Sequence, residues 1–468
     1  MFCTHAFSHD SLAECDAAIY GNILKIQLGR WLVPIYRMVF RTHVTLPWVS
    51  GFLGLLWLSA ALFFICRTFR IKSFWSIFLL SGFLTVNLPM IGLIATYIQD
   101  FDQNMFALFL VSASVFLLFN CRHGWLLGIL CIILSLGLYQ AYFFSCSTMI
   151  AIALICRLVQ GYKIKYILIK AALAMLMLLC SCVLYLLLSR FVLYVLELPS
   201  AEHQFHFDLL AHLLSRIEFC YQWTKDILIS GYSAYSVFIT RNINIILIIV
   251  SEYFLLVHFK KQSDIRNKIL ATVLFCALPL AFYPLLFVSN EGHTLMFYSY
   301  WLLYLLEIWL IFRKIRFTSH WITGLVSILM LCLIWGNVLT ANSAYLKKRF
   351  LADAYLSYMT RVNDRIQTFP CYIPGKTPVV FVGTAPYLCC SIATGTTIVG
   401  LDNGQIGAHH VDYYRAYFRF FLHSSVYVAD WSVFHHYNAD PRFANMPVFP
   451  HKDSMKMVDG GVLVVKLR

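Results

Sequence analysis

The stretch FSHDSLAECD, Phe7 to Asp16, gathers Asp10, Glu14 and Asp16 with His9 in a chain that is otherwise overwhelmingly apolar. A second acidic pair, Asp100 and Asp102 in QDFDQN, occupies what reads as a very short loop. Two carboxylate sites can divide labour: one accepts a proton from an attacking hydroxyl, the other orients the reactants or stabilises positive charge. Asp10 and Asp102 are the catalytic candidates on this chemistry, with His9 and Asp100 as substrate-binding groups beside them. Solvation on a loop is the ordinary role of such an acid, and spacing alone does not show that the two sites converge.

Whatever positions these acids lies in lipid. Of 468 residues, 60% are hydrophobic and 12% charged, against roughly 25% charged in soluble chains. Apolar runs of spanning length predict about ten helices near 48–66, 73–97, 105–119, 125–139, 142–157, 166–194, 235–258, 269–288, 299–312 and 319–340. The expected class is an all-α polytopic bundle. The net charge of +14 does not indicate nucleic acid, because the basic residues fall between the apolar runs. With the first run travelling inward, the cytoplasmic loops hold fourteen Lys and Arg, among them Arg70, Lys72, Arg157 and Lys163. The opposite short loops, 98–104, 140–141 and 289–298, hold none, which is the positive-inside pattern.

That orientation puts 1–47 and everything after Thr340 outside the cytoplasm. An outer amino terminus without a signal sequence leads us to expect a further helix upstream, about eleven spans in all. The domains expected are a first outer segment, 1–47; a bundle, 48–340, with an outer loop at 195–234; and an outer carboxy-terminal domain, 341–468. Leu28 to Arg41 reads as an interfacial amphipathic helix. In the tail, PVVFVG and GVLVVKL read as buried strands and VDYYRAYFRFFLH as a helix, giving a small α/β domain. The fifteen cysteines lie mostly in apolar runs as small buried residues. Cys371 with Cys389 or Cys390 is the one plausible bridge.

FSHDS, LKIQLGRWLVPIYR, LPWVSGFLGLLWLSAALF, DFDQNMFALFLVSASVFL and GLYQAYF together resemble the bacterial glucosyl transferase family of the serotype-converting type II kind. The resemblance runs from about Phe7 to the last span. It implies a GT-C type fold and an inverting membrane glucosyltransferase at the outer face of the bacterial cytoplasmic membrane. The donor it implies is polyprenyl-phosphate-glucose and the acceptor a lipid-linked surface polysaccharide or O-antigen. A flippase and a polyprenyl-phosphate glucosyl synthase would be its partners. The family's essential acid in the first outer loop matches Asp10, with Glu14 and Asp16 as lesser candidates, and the resemblance leaves open a divalent cation near Asp10 and Asp102.

The departing lipid phosphate calls for positive charge, and a guanidinium fork suits it better than an ammonium. Arg30 in LGRW, Arg37, and Arg241 beside Asn242 and Asn244 are the candidates; an interfacial snorkelling role competes for Arg37. Tyr139 and Gln140 in LYQAY are expected to hydrogen-bond a sugar or to be an interfacial aromatic with a polar neighbour. His409-His410 and His435-His436 lack zinc-ligand spacing, so no metal site is assigned. Tyr413, Tyr414, Tyr417 and Trp431 are read as core aromatics or as sugar-stacking ones. The competing functions are a polysaccharide polymerase, an acyltransferase, and a transporter with Glu252 and Glu307 as coupling groups. The sugar, acceptor position, linkage and oligomeric state are not legible.

Overall fold

In lipid every backbone N–H and C=O must be bonded within its own segment, and the apolar runs accordingly fold as helices. The computed structural model describes residues 20–42, 46–199, 213–229, 237–260, 264–283, 294–312, 320–383 and 411–467. His9, Asp10, Glu14, Asp16, Cys389, Cys390 and His409-His410 lie outside the described residues. The chain falls into two compact units, one built from Ile23–Leu93 with Asp100–Asn342, the other chiefly from Ser343–Arg468 with Ile94–Gln99.

The helices in chain order are α1 (Tyr20–Gln27), α2 (Leu32–Phe40), α3 (Pro47–Phe69), α4 (Phe74–Thr85), α5 (Leu88–Thr96), α6 (Phe101–Asn120) and α7 (Gly124–Leu138). They continue as α8 (Tyr142–Val159), α9 (Ile164–Val195), α10 (Leu213–Leu228), α11 (Val237–Lys260), α12 (Ile265–Cys276), α13 (Leu278–Phe282), α14 (Leu303–Phe312) and α15 (His320–Gln367). Among the described residues seven helical stretches are long and apolar enough to cross a membrane, or eight with α4 and α5 counted as one bent span. The protein is a helical membrane protein.

Where the structure departs from a count of ten, local chemistry gives the reason. The run 73–97 bends by 49° between α4 and α5. There the Asn87 amide donates to the carbonyls of Phe83 and Leu84 and accepts from the Met90 N–H. Pro89 follows, so the side chain replaces helix bonds that the backbone gives up. The run 269–288 is interrupted at Ala277, and Pro279 sits in the first turn of α13. α7 has 15 residues, about 22 Å of helix against a hydrocarbon core of about 30 Å.

α6 packs closely on α3 because Gly54 has no side chain where the Phe101 ring lies; a Cβ there would collide with that ring. Trp57 and Phe106 of these two helices meet Tyr36 and Phe40 of α2, with Phe109 packed behind them on Trp57. The Trp57 Nε1–H donates to Tyr36 Oη at 3.0 Å. This aromatic cluster fixes α2 against the bundle.

In the second unit β1 (Pro378–Val382), α16 (Val411–Ala416), β2 (Tyr427–Val428), α17 (Trp431–Asn438), β3 (Met455–Val458) and β4 (Val462–Lys466) form a small α/β layer. The strand order is β2-β1-β4-β3, with β1 parallel to both neighbours and β3-β4 an antiparallel hairpin. Val379 to Val382 and Leu463 to Val465 are buried throughout, as expected of strands covered on both faces. Tyr414 and Phe418 stack on Phe381. Tyr414 and Tyr417 are thus core side chains, whereas Trp431 is exposed and stacks on Phe434. Cys371 is a free, exposed thiol.

Candidate active site

The segment LKIQLGR ends one helix instead of continuing it. Gly29 takes the left-handed conformation (φ +79°). The Arg30 N–H bonds the Lys25 carbonyl, and the Gly29 N–H bonds that of Ile26. This is a Schellman cap, which favours glycine at its left-handed position. The interfacial helix expected over Leu28 to Arg41 therefore begins only at Leu32, as α2, and Arg30 lies in the corner between it and the preceding α1. The corner is held from outside. Gln140 Nε2 donates to the Leu28 carbonyl (2.7 Å) and to Tyr185 Oη (2.8 Å), and Tyr185 Oη donates to the Gly29 carbonyl (3.2 Å). A Cβ at Gly29 would strike the Tyr185 hydroxyl.

The second acidic pair is not on a loop. Asp100 is the residue before α6 and Asp102 lies in its first turn, where the positive end of the helix dipole favours carboxylates. Asp100 accepts from Lys25 Nζ at 2.5 Å, from Arg37 Nη2 at 2.8 Å and from Gln103 Nε2 at 2.8 Å. Asp102, fully enclosed, accepts from Arg41 Nε at 2.7 Å. Arg37 and Arg41 are one turn apart on a helix face, matching the two acids across from them. Arg37 is 2% exposed, so it is an interior ion-pair partner and not a snorkelling residue at an interface.

Arg30 differs. Its guanidinium lies 4.6 Å above the centre of the Tyr139 ring and near enough to Asp100 to act on it electrostatically. It makes no hydrogen bond through Nε and forms no salt bridge among the described residues. Tyr139 also lines a narrow cleft with Tyr142, Tyr298 and Asn104. Asn104 is 5% exposed, and its Oδ1 has no hydrogen-bond partner among the described residues. Guanidinium, aromatic faces and an open amide oxygen meet at one end of the bundle, a set of groups able to hold a phosphate beside a sugar.

Of the residues singled out from sequence, Arg30, Arg37, Asp100, Asp102, Tyr139 and Gln140 come together here. Gln140 supports the Gly29 corner. Arg241, exposed near the start of α11, has no ion pair among the described residues. Glu252 is exposed, while Glu307 is enclosed with Oε2 unpartnered. Lys25, Arg41, Gln103, Asn104 and Tyr185 were not picked out from sequence. One signal could have found the two cations: 20–41 carries four cations and no acid, 98–104 two acids and no cation. Among the described residues no three metal-ligating side chains gather.

The family model described as glucosyl transferase GtrII matches residues 2–306, well over half of the chain. No curated protein and no solved structure matches it.

Proposed function

We propose that this chain, which belongs to the glucosyl transferase GtrII family, takes glucose from a polyprenyl-phosphate carrier and transfers it to a surface polysaccharide. The transfer takes place at the outer face of the cytoplasmic membrane. The observation that carries the lipid-phosphate reading is Arg30, a half-buried guanidinium with donor capacity left, resting on Tyr139 beside a cleft of sugar-binding character. Arg37 and Arg41 already hold carboxylates, so the departing phosphate falls to Arg30. The cleft is narrow, and we assign it to one edge of the hexose.

A general base needs a lone pair within reach of the acceptor hydroxyl. Asp100 is engaged by two cations and Asp102 is enclosed against Arg41, which makes both positioning groups. The base then falls to Asp10, with Glu14 as the alternative. It takes the proton from the acceptor hydroxyl as that oxygen bonds to the anomeric carbon; the carbon–oxygen bond to the phosphate breaks, and the configuration inverts in one displacement.

Arg30→Gln is expected to lower glucosylation about 10²-fold, the scale of losing one preorganised charge-stabilising donor. Arg30→Lys should recover part of it and Arg241→Gln should change little. Polysaccharide glucosylation at matched membrane levels measures this; equal activity of Arg30→Gln and the parent would remove the phosphate assignment. A polymerase would lengthen the polysaccharide instead of adding side-chain glucose, and the same analysis separates the two. The transporter reading is disfavoured by the unlike surroundings of Glu252 and Glu307.

Support for the orientation comes from which loops meet. Segments free of Lys and Arg, 100–104 and 140–141, gather at the Arg30 corner, whereas Arg70 and Arg157 line a different cavity. Alkaline phosphatase fused after Arg468 is expected to be active and fused after Lys261 inactive. An inactive fusion after Arg468 would invert the assignment.

A further inference from the structure

A partly open cavity lies between the carboxy-terminal ends of α3 and α8 and takes no part in the proposed transfer. Arg70, Arg157, Gln160, Thr68, Tyr162 and Trp309 line it. Arg157 is 8% exposed; its Nη1 bonds the Ala153 carbonyl and its guanidinium lies 3.9 Å from the centre of the Phe119 ring. Among the described residues no carboxylate pairs with it or with Arg70. A guanidinium this deep in a bundle ordinarily has a counter-ion.

The neighbouring groups do not supply one. The carbonyl ends of two helices offer about half a negative charge each, which leaves roughly one positive charge uncompensated beside two guanidiniums. The hydroxyl of Thr68 and the indole N–H of Trp309 already donate to the carbonyls of Phe64 and Phe69. The donors that line the cavity for a ligand include the two guanidinium groups and the Gln160 amide. Arg70 caps α3 in the left-handed conformation (φ 56°), and in that position it lines the cavity.

We infer that this cavity binds a phosphate-bearing anion between Arg70 and Arg157. Forked guanidiniums recognise phosphate oxygens in pairs, and basic pockets between helices at the positively charged end of membrane proteins hold anionic headgroups. The anion is either the headgroup of an anionic phospholipid from the surrounding leaflet or free phosphate. The site is separate from Arg30 and does not depend on the transfer reaction.

The test measures thermal unfolding of the purified full chain in nanodiscs of phosphatidylcholine alone, of phosphatidylcholine with phosphatidylglycerol, and of phosphatidylcholine with millimolar inorganic phosphate. Native mass spectrometry of co-purified lipid accompanies it. A saturating headgroup should raise the melting temperature by about 3 °C. Arg70→Gln, at an exposed position, and Arg157→Gln should abolish that rise and the phosphatidylglycerol adducts. A rise with inorganic phosphate alone, lost in Arg70→Gln, assigns the site to the free anion. No rise with either, or a rise that Arg70→Gln leaves intact, overturns the proposal.

Discussion

Asp100→Asn is expected to destabilise the bundle by about 3–5 kcal/mol, the scale found when one member of a buried ion pair is removed and its partner stays. The carboxylate is shared by Lys25 and Arg37, and an amide cannot neutralise either. The cost should therefore exceed that of Lys25→Met, which leaves the Arg37–Asp100 pair in place. Lys25→Met in the Asp100→Asn background should recover part of the loss, because one of the two stranded cations goes with it. Detergent-solubilised protein followed by thermal unfolding and size-exclusion chromatography gives the ranking. If Asp100→Asn unfolds no earlier than Lys25→Met, the shared-counter-ion role is wrong. Activity should fall with stability, since the same contacts hold α1 and α2, and hence Arg30, against α6.

Asp10→Asn should behave in the opposite way, with the protein intact and transfer lost. The amide keeps the shape of the carboxyl group but cannot accept a proton, and loss of a general base costs about 10²–10⁴ in rate. Glucosylation of surface polysaccharide, read at equal membrane abundance, is the measurement. Glu14→Gln is the necessary companion. Activity retained in Asp10→Asn but lost in Glu14→Gln would move the base to Glu14, and activity retained in both would end the carboxylate mechanism. The contrast with Asp100→Asn matters, because one acid is expected to act in chemistry and the other through the fold.

The spans were legible because lipid imposes one rule, and a long apolar run has few ways to satisfy it. The ends of those spans were less so. QDFDQN has the composition of a loop, yet α6 begins inside it, because Asp100 and Asp102 gain cations there that lie 61 to 75 residues away in sequence. Lys25 in ILKIQ looks like the polar face of an amphipathic helix, and nothing local to it announces a buried partner. Arg37 was read as interfacial for the same reason. Arg30 stood out because it follows Gly29, which marks a corner, but its seat on Tyr139 depends on a helix end more than a hundred residues on. Local pattern reached the elements; pairing across the bundle required the fold.

The Gly29 corner also sets an order of assembly. Its two carbonyls are held by Gln140 and Tyr185, and the latter contact spans 156 residues. At about 5–20 residues per second of synthesis, the ribosome needs about 8 to 30 s after making Gly29 before Tyr185 exists. Throughout that interval α1 and α2 have been translated without the contacts that hold their corner. The Gly29 corner thus leaves the ribosome well before it can be fastened, and a chain halted before α9 would carry Arg30 with its corner unsecured.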